Sequence, residues 1–147
     1  MEYKKPSAAA SVAVYAKKDN CFLVIRRLHE PFKHFYAFPG GFLDVDNEDL
    51  EHTAVRELSE EAGLYDVRPE QLHLIDVRSS PTRDPRGHVI DVGFLYIIDK
   101  KCAIPDKTDE AKPEWVSWDK LETSTFAFDH NLYWKRIKEF LSRKAGG

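Results

Sequence analysis

Apolar and polar positions along this chain alternate between the two-residue period of strands and the longer period of helices. Residues 12–15 and 21–25 (CFLVI) are short apolar runs joined by the turn-like KKDN, and they predict two strands. FYAFPGG is aromatic and then breaks at Pro39-Gly40-Gly41, which predicts a short strand running into a loop. Over residues 47–62 the period becomes helical: Leu50, Ala54, Leu58 and Ala62 recur every four residues with Val55 beside them. QLHLIDVRSS and HVIDVGFLYIID read as strands separated by the polar loop PTRDPRG, and PEWVSW as another short strand. Over residues 131–141, Leu132, Trp134, Ile137, Phe140 and Leu141 share one side of a second helix. No repeat, low-complexity linker or second-domain signal interrupts the series, so residues 1–147 read as one α/β domain.

The first helix carries an anomaly. Glu57, Glu60 and Glu61 sit three and four residues apart, where helical side chains are neighbours, and like charges there cost about 0.2–0.5 kcal/mol per pair. Gly63 ends the helix just beyond them, so they face the negative end of its dipole, at about 0.3–1 kcal/mol for a charge in the last turn. On a helical wheel Glu57 and Glu61 fall at the edge of the apolar stripe, within about 20–40° of Leu50 and Ala54. A solvated acidic face is the ordinary reading of such a pair, but desolvation at the rim of a core raises the cost of each charge. A bound divalent cation would remove both the repulsion and the dipole penalty. Hard oxygen ligands in this number suit Mg²⁺ or Mn²⁺. Upstream, Gly40-Gly41 lets the backbone approach a ligand closely.

Composition adds limits. Hydrophobic residues at 42% and charged residues at 32% describe a soluble globular protein. A net charge of −3 argues against a broad nucleic-acid surface, so an anionic substrate would be met locally by a few arginines or a metal. Cys21 and Cys102 fit no zinc spacing or disulfide framework, which makes a reducing cytoplasm the expectation. KKPSAAASVAVYAKK has the flanks of an export leader but an apolar middle without Leu, Ile or Phe, and reads better as a first strand. No run reaches the roughly 18 apolar residues of a membrane helix.

Residues 40–64, GGFLDVDNEDLEHTAVRELSEEAGL, resemble the signature of the Nudix hydrolases. Gly41, Glu48, Arg56, Glu57, Leu58, Glu60, Glu61, Gly63 and Leu64 fill its fixed places, with six residues between Gly41 and Glu48 where the usual pattern has five. The loop is one residue longer, and Asp46 or Asn47 is the expected helix N-cap. The resemblance implies an α/β/α sandwich with a mixed sheet, and cleavage of a nucleoside diphosphate linked to another moiety. It implies Mg²⁺ held by Glu57, Glu60 and Glu61 with help from the Gly41 carbonyl, and Arg56 orienting one carboxylate. An acid from a later loop often joins such a site, and Glu110 in TDEAKPEW takes that place.

Substrate class comes from outside the signature. SSPTRDPRGHVIDVGFLYII resembles the corresponding loop and strand of ADP-ribose pyrophosphatases, and TSTFAFDHNLY resembles the segment before their last helix. Together with VIRR and AFPGGF, this similarity spans most of residues 8–141. Arg83 and Arg86 around Pro85 then read as a phosphate clamp, although alone they would read as a solvated loop. Arg27 and Phe38 join them as substrate contacts, with Tyr36 and Phe126 as other aromatic candidates; each aromatic singly fits a core. His130 receives no chemical role. Rival readings are a hydrolase of another nucleotide and a non-catalytic ADP-ribose sensor; sensors of this kind carry a DNA-binding domain and tend to lose the carboxylates. Relatives of this sort are often dimers, which makes a homodimer an expectation of the resemblance alone.

Overall fold

The computed structural model describes residues 3–109 and 111–146. Its strands are β1 (Ser7–Ala16), β2 (Cys21–Arg27), β3 (Tyr36–Ala37), β4 (Gly40–Phe42), β5 (His73–Arg78), β6 (Val89–Ile98) and β7 (Ala111–Ser117). Helices are α1 (Leu50–Ala62), α2 (Trp118–Glu122) and α3 (His130–Gly146). Among the described strands β1 runs parallel to β6 and the other strand pairs are antiparallel, so the sheet is mixed as expected. No helix among the described residues is long and apolar enough to cross a membrane.

Side-chain alternation along the central strands makes two cores. Val12, Val14 and Leu23 face one side with Phe94, where they meet Ala54, Leu58 and Ala62 of α1. Ala13, Phe22, Val24 and Leu95 face the other, against Tyr133, Trp134 and Ile137 of α3. Each helix therefore covers one face of the sheet, the α/β/α sandwich that the resemblance implied. Leu58 has no exposed surface, and burial of such a side chain contributes about 1.5–3 kcal/mol.

The sheet forks at β1. Residues 9–11 of β1 pair with β4, whereas 14–16 pair with β2. Between them the Val12 N–H donates to the Pro39 carbonyl at 2.7 Å. The aromatic run expected to end in a loop therefore continues past Pro39 as β4, a three-residue strand lying between β1 and α1. Proline cannot donate to a ladder, and here it turns the chain from β3 to β4 while its carbonyl still accepts a bond.

Tyr133 ties α3 to the sheet. Its buried hydroxyl accepts the Ala13 N–H at 3.0 Å and donates to the Phe94 carbonyl, bridging β1 and β6. Tyr133→Phe would leave the Ala13 N–H without that acceptor, at a cost of about 1–3 kcal/mol. Each kcal/mol should lower Tm by about 2–4 °C in a domain of this size. An unchanged melting curve would show that this bridge carries no stability.

Candidate active site

The acidic helix begins later than its periodicity suggests. The N-cap is Asp49, whose carboxylate accepts the His52 N–H at 2.9 Å; neither Asp46 nor Asn47 caps it. The longer loop is taken up as a turn in which Asp44 accepts from Asp46 N–H at 3.3 Å and Asn47 Nδ2 at 3.1 Å. At the far end Gly63 adopts φ 70°, a left-handed conformation that glycine enters without steric cost, and donates back to the last turn.

Arg56 is the hub of the helix surface. Its Nε and Nη2 donate to both oxygens of Glu48 at 2.8 Å, a bidentate pair. Nη1 donates to Glu57 at 2.8 Å and Glu60 at 3.3 Å, and Nη2 reaches the Phe42 carbonyl at 3.0 Å. Glu48 also accepts from Thr53 Oγ1 and Asp44 N–H. The Arg56 hydrogen bonds hold its pKa down to about 2. The first glutamate of the signature thus aims the arginine, and the arginine aims Glu57 and Glu60.

Glu57 and Glu61 are pressed together at the rim of the core. Glu61 is only 7% exposed and accepts the Gly40 N–H at 2.9 Å. Gly41 packs its α-carbon onto the Glu57 carboxylate so closely that a Cβ would lie 2.2 Å from an oxygen. A larger residue there would push the Glu57 carboxylate aside. Burial raises the pKa of both groups, and the neighbouring Glu57 charge pushes Glu61 further up.

The cleft in front of these acids, about 530 Å³, is lined by Gly41, Glu57, Glu60, Glu61, Arg27 and Arg86, with Asp109 at its edge. A smaller recess of about 70 Å³ shares Arg27, Gly41, Phe42 and Arg86 with it and runs inward to Asp91 and His130. The structure therefore brings together Gly41, Glu57, Glu60, Glu61, Arg27 and Arg86. Glu110 lies outside the described residues. Two expected contacts lie deeper than a substrate contact requires, although both reach the wall of the recess. Arg83 is not an open clamp arm: its side chain is buried and donates twice to Asp129, at 2.8 and 2.9 Å. Phe38 is not a stacking surface: its ring is buried in the α3-side core against Phe126 and Tyr133. Tyr36 and Phe126 belong to that core as well. Phe42 lines the cleft and the recess and Phe128 the recess, each with the Arg86 guanidinium over its ring, at 4.9 and 5.3 Å; Phe38 and Arg83 reach the recess wall from their buried positions. Arg86 also bonds Asp84 at 2.9 Å. Phe42 follows the two glycines directly, which was the available signal; Phe128 has none, because its placement depends on a positive φ of 53° before α3.

A family model described as NUDIX domain matches residues 5–137. The chain belongs to the Nudix family. It is 38% identical over 145 residues to an ADP-ribose pyrophosphatase of Methanocaldococcus jannaschii, covering 98% of this chain and 78% of the relative. It is also 42% identical over 107 residues to an 8-oxo-dGTP diphosphatase of Proteus vulgaris, covering 73% of this chain and 88% of that one. Among solved structures, the NUDIX domain of Shewanella oneidensis NrtR complexed with ADP ribose superposes with a TM-score of 0.83 at 22% identity, over 95% of this chain and 90% of that one.

Nudix hydrolases generally use divalent metals, and the donors here fit one. Glu57 and Glu61 are hard oxygen donors whose repulsion a cation would relieve, and with Gly41 and Glu60 they line one open cleft. Among the described residues no three acidic, imidazole or thiol side chains already converge as a cage. Arg56 draws Glu57 and Glu60 toward itself, and Glu60 is more than half exposed.

This arrangement sets a pH dependence. With folded pKa values raised above the ordinary 4.5, Glu57 and Glu61 bind more protons in the native state than in the unfolded chain. In metal-free protein their contribution to stability must therefore fall as pH rises from 4.5 through the raised values. Glu48 acts oppositely, but its window runs from 4.5 down through about 2 and does not overlap. Glu61→Gln should flatten the loss in metal-free Tm above pH 4.5, and Mg²⁺ should raise Tm in wild type more than in the variant. Parallel Tm–pH curves for the two proteins would refute this account of the pair.

Proposed function

We propose that this Nudix pyrophosphohydrolase splits ADP-ribose into AMP and ribose 5-phosphate with Mg²⁺ as its cation. The observation that carries the reading is one cleft with the carboxylates of α1 on one wall and Arg86, backed by Phe42 and Phe128, on the other. The chain-length similarity to an ADP-ribose pyrophosphatase supports the substrate.

Glu57, Glu60, Glu61 and the Gly41 carbonyl would hold the cation, which neutralises pyrophosphate charge and acidifies water. Water adds to one phosphorus, the bridging P–O bond breaks, and each half leaves as a phosphate monoester. One of the carboxylates of α1 would take the proton that water loses. The Gly40 N–H fixes Glu61 for this, and Arg56 fixes Glu57. Arg86 meets the phosphate or the terminal ribose with a planar guanidinium already braced by Asp84 and two rings. Two free thiols, Cys21 and Cys102, agree with a cytoplasmic setting.

The 42% identity to an 8-oxo-dGTP diphosphatase favours a second reading, a nucleoside triphosphate substrate with the same chemistry. Product chromatography over ADP-ribose, ADP and nucleoside triphosphates with Mg²⁺ separates the two. Turnover of ADP-ribose no faster than of ADP or a triphosphate would overturn the specificity.

Two substitutions test the parts. Glu61→Gln should abolish most hydrolysis at saturating Mg²⁺ while the protein stays folded. Arg86→Ala removes a charged hydrogen bond of about 1.5–3 kcal/mol, so kcat/KM for ADP-ribose should fall roughly 10- to 150-fold, mainly through KM. Arg86→Lys should recover only part, since a point charge cannot reproduce the fork. A silent Arg86→Ala would remove this residue from the substrate site.

A further inference from the structure

In the FAFDH segment leading into α3, Phe128 backs Arg86; Ala127 and His130 are without a role in this chemistry, yet they hold the strand that holds the acids. Ala127 N–H donates to the Tyr36 carbonyl at 2.7 Å. Phe38 N–H donates to Nδ1 of His130 at 3.0 Å. Two residues further on, Gly40 N–H donates to Glu61, and Gly41 packs against Glu57. The backbone of residues 36–42 is thus a short strap, laid along β1 over residues 39–42 and fastened to the start of α3 at one end and to the carboxylates at the other.

His130 is itself fixed from behind. Its Nε2 faces Asp91 at 3.6 Å. Asp91 accepts from Ser11 Oγ at 2.8 Å and Arg78 Nη2 at 2.7 Å. Arg78 in turn donates to Asp76 and to Asp129, the residue before His130. A backbone N–H can only donate, so Nδ1 must be the acceptor and the ring proton must sit on Nε2, toward Asp91. Burial, which lowers the pKa of His130, favours the same neutral ring.

We infer that His130 is a positioning residue for the carboxylate site: its Nδ1, accepting the Phe38 N–H, sets the Gly40–Gly41 backbone against Glu61 and Glu57. The inference rests on the metal-binding role proposed for those acids. A shift of the strap at Phe38 displaces both the donor to Glu61 and the α-carbon that Glu57 packs on, because only Pro39 intervenes.

Asparagine and glutamine separate the two ends of the imidazole. The Asn amide overlays Nδ1 and can accept from Phe38; the Gln amide reaches the Nε2 position and serves Asp91 instead. Mn²⁺ binding, read by electron paramagnetic resonance without nucleotide, is independent of which nucleotide is the substrate. His130→Gln should weaken Mn²⁺ binding and lower kcat by about 10- to 100-fold with KM for ADP-ribose little changed. His130→Asn should restore both to within a few-fold of wild type. Amide exchange at Gly40 should speed up in the Gln protein only. A Gln variant with wild-type Mn²⁺ affinity and Gly40 exchange would overturn the inference, and so would equal losses in both variants. If either variant fails to fold, the wild-type protein decides: an N–N scalar coupling between Phe38 N–H and His130 Nδ1 is required, and its absence refutes the assignment.

Discussion

Two carboxylates forced together at the rim of a core are the constraint around which this site is arranged. Desolvation penalises each charge and proximity penalises the pair, so the native chain holds Glu57 and Glu61 with raised pKa values. Neighbouring groups oppose that cost one oxygen at a time. Gly40 N–H satisfies one oxygen of Glu61, and Arg56 satisfies one of Glu57 while locked by Glu48. The residual strain is electrostatic and of the kind a cation would relieve, so the same arrangement that weakens the metal-free fold suits the metal-binding role proposed for it.

Holding the acids in this state requires a backbone that comes very close. The fork of the sheet provides it. Because β1 pairs first with β4 and later with β2, a three-residue strand can leave the main sheet and lie against α1 without losing its hydrogen bonds. Glycine at position 40 then becomes a steric requirement, since a Cβ would lie 2.4 Å from the Ala10 carbonyl oxygen, and at 41 it leaves the Glu57 carboxylate in place. On the opposite face the Arg78, Asp91 and Asp129 cluster anchors the start of α3, so both layers of the sandwich bear on the same few residues of strap.

Much of this was legible in the chain. The four-residue recurrence of Leu50, Ala54, Leu58 and Ala62 located α1 because period and burial agree there, and the wheel placed Glu57 and Glu61 at the core edge where they are found. The family signature depends on fixed local spacing, so a helix preserves it whatever the rest of the chain does. Helix onset was misread because Asp46, Asn47 and Asp49 are all competent caps, and only the turn centred on Asp44 selects among them.

Sequence by itself determined the alternation of strands and helices, the family signature, and the three carboxylates with the arginine beside them, since each follows from local periodicity or spacing; the mixed sheet between two helix layers was implied only by the resemblance. Tertiary structure decided which arginine faces the cleft. Arg83 and Arg86 are equivalent in composition, but Asp129, distant in sequence, captures the first and leaves the second leaning on Phe42 and Phe128. It likewise buried Phe38 and gave His130 a hydrogen bond across 92 residues. Such choices depend on which distant partners the closed layers bring to a side chain, and no period along one segment encodes that.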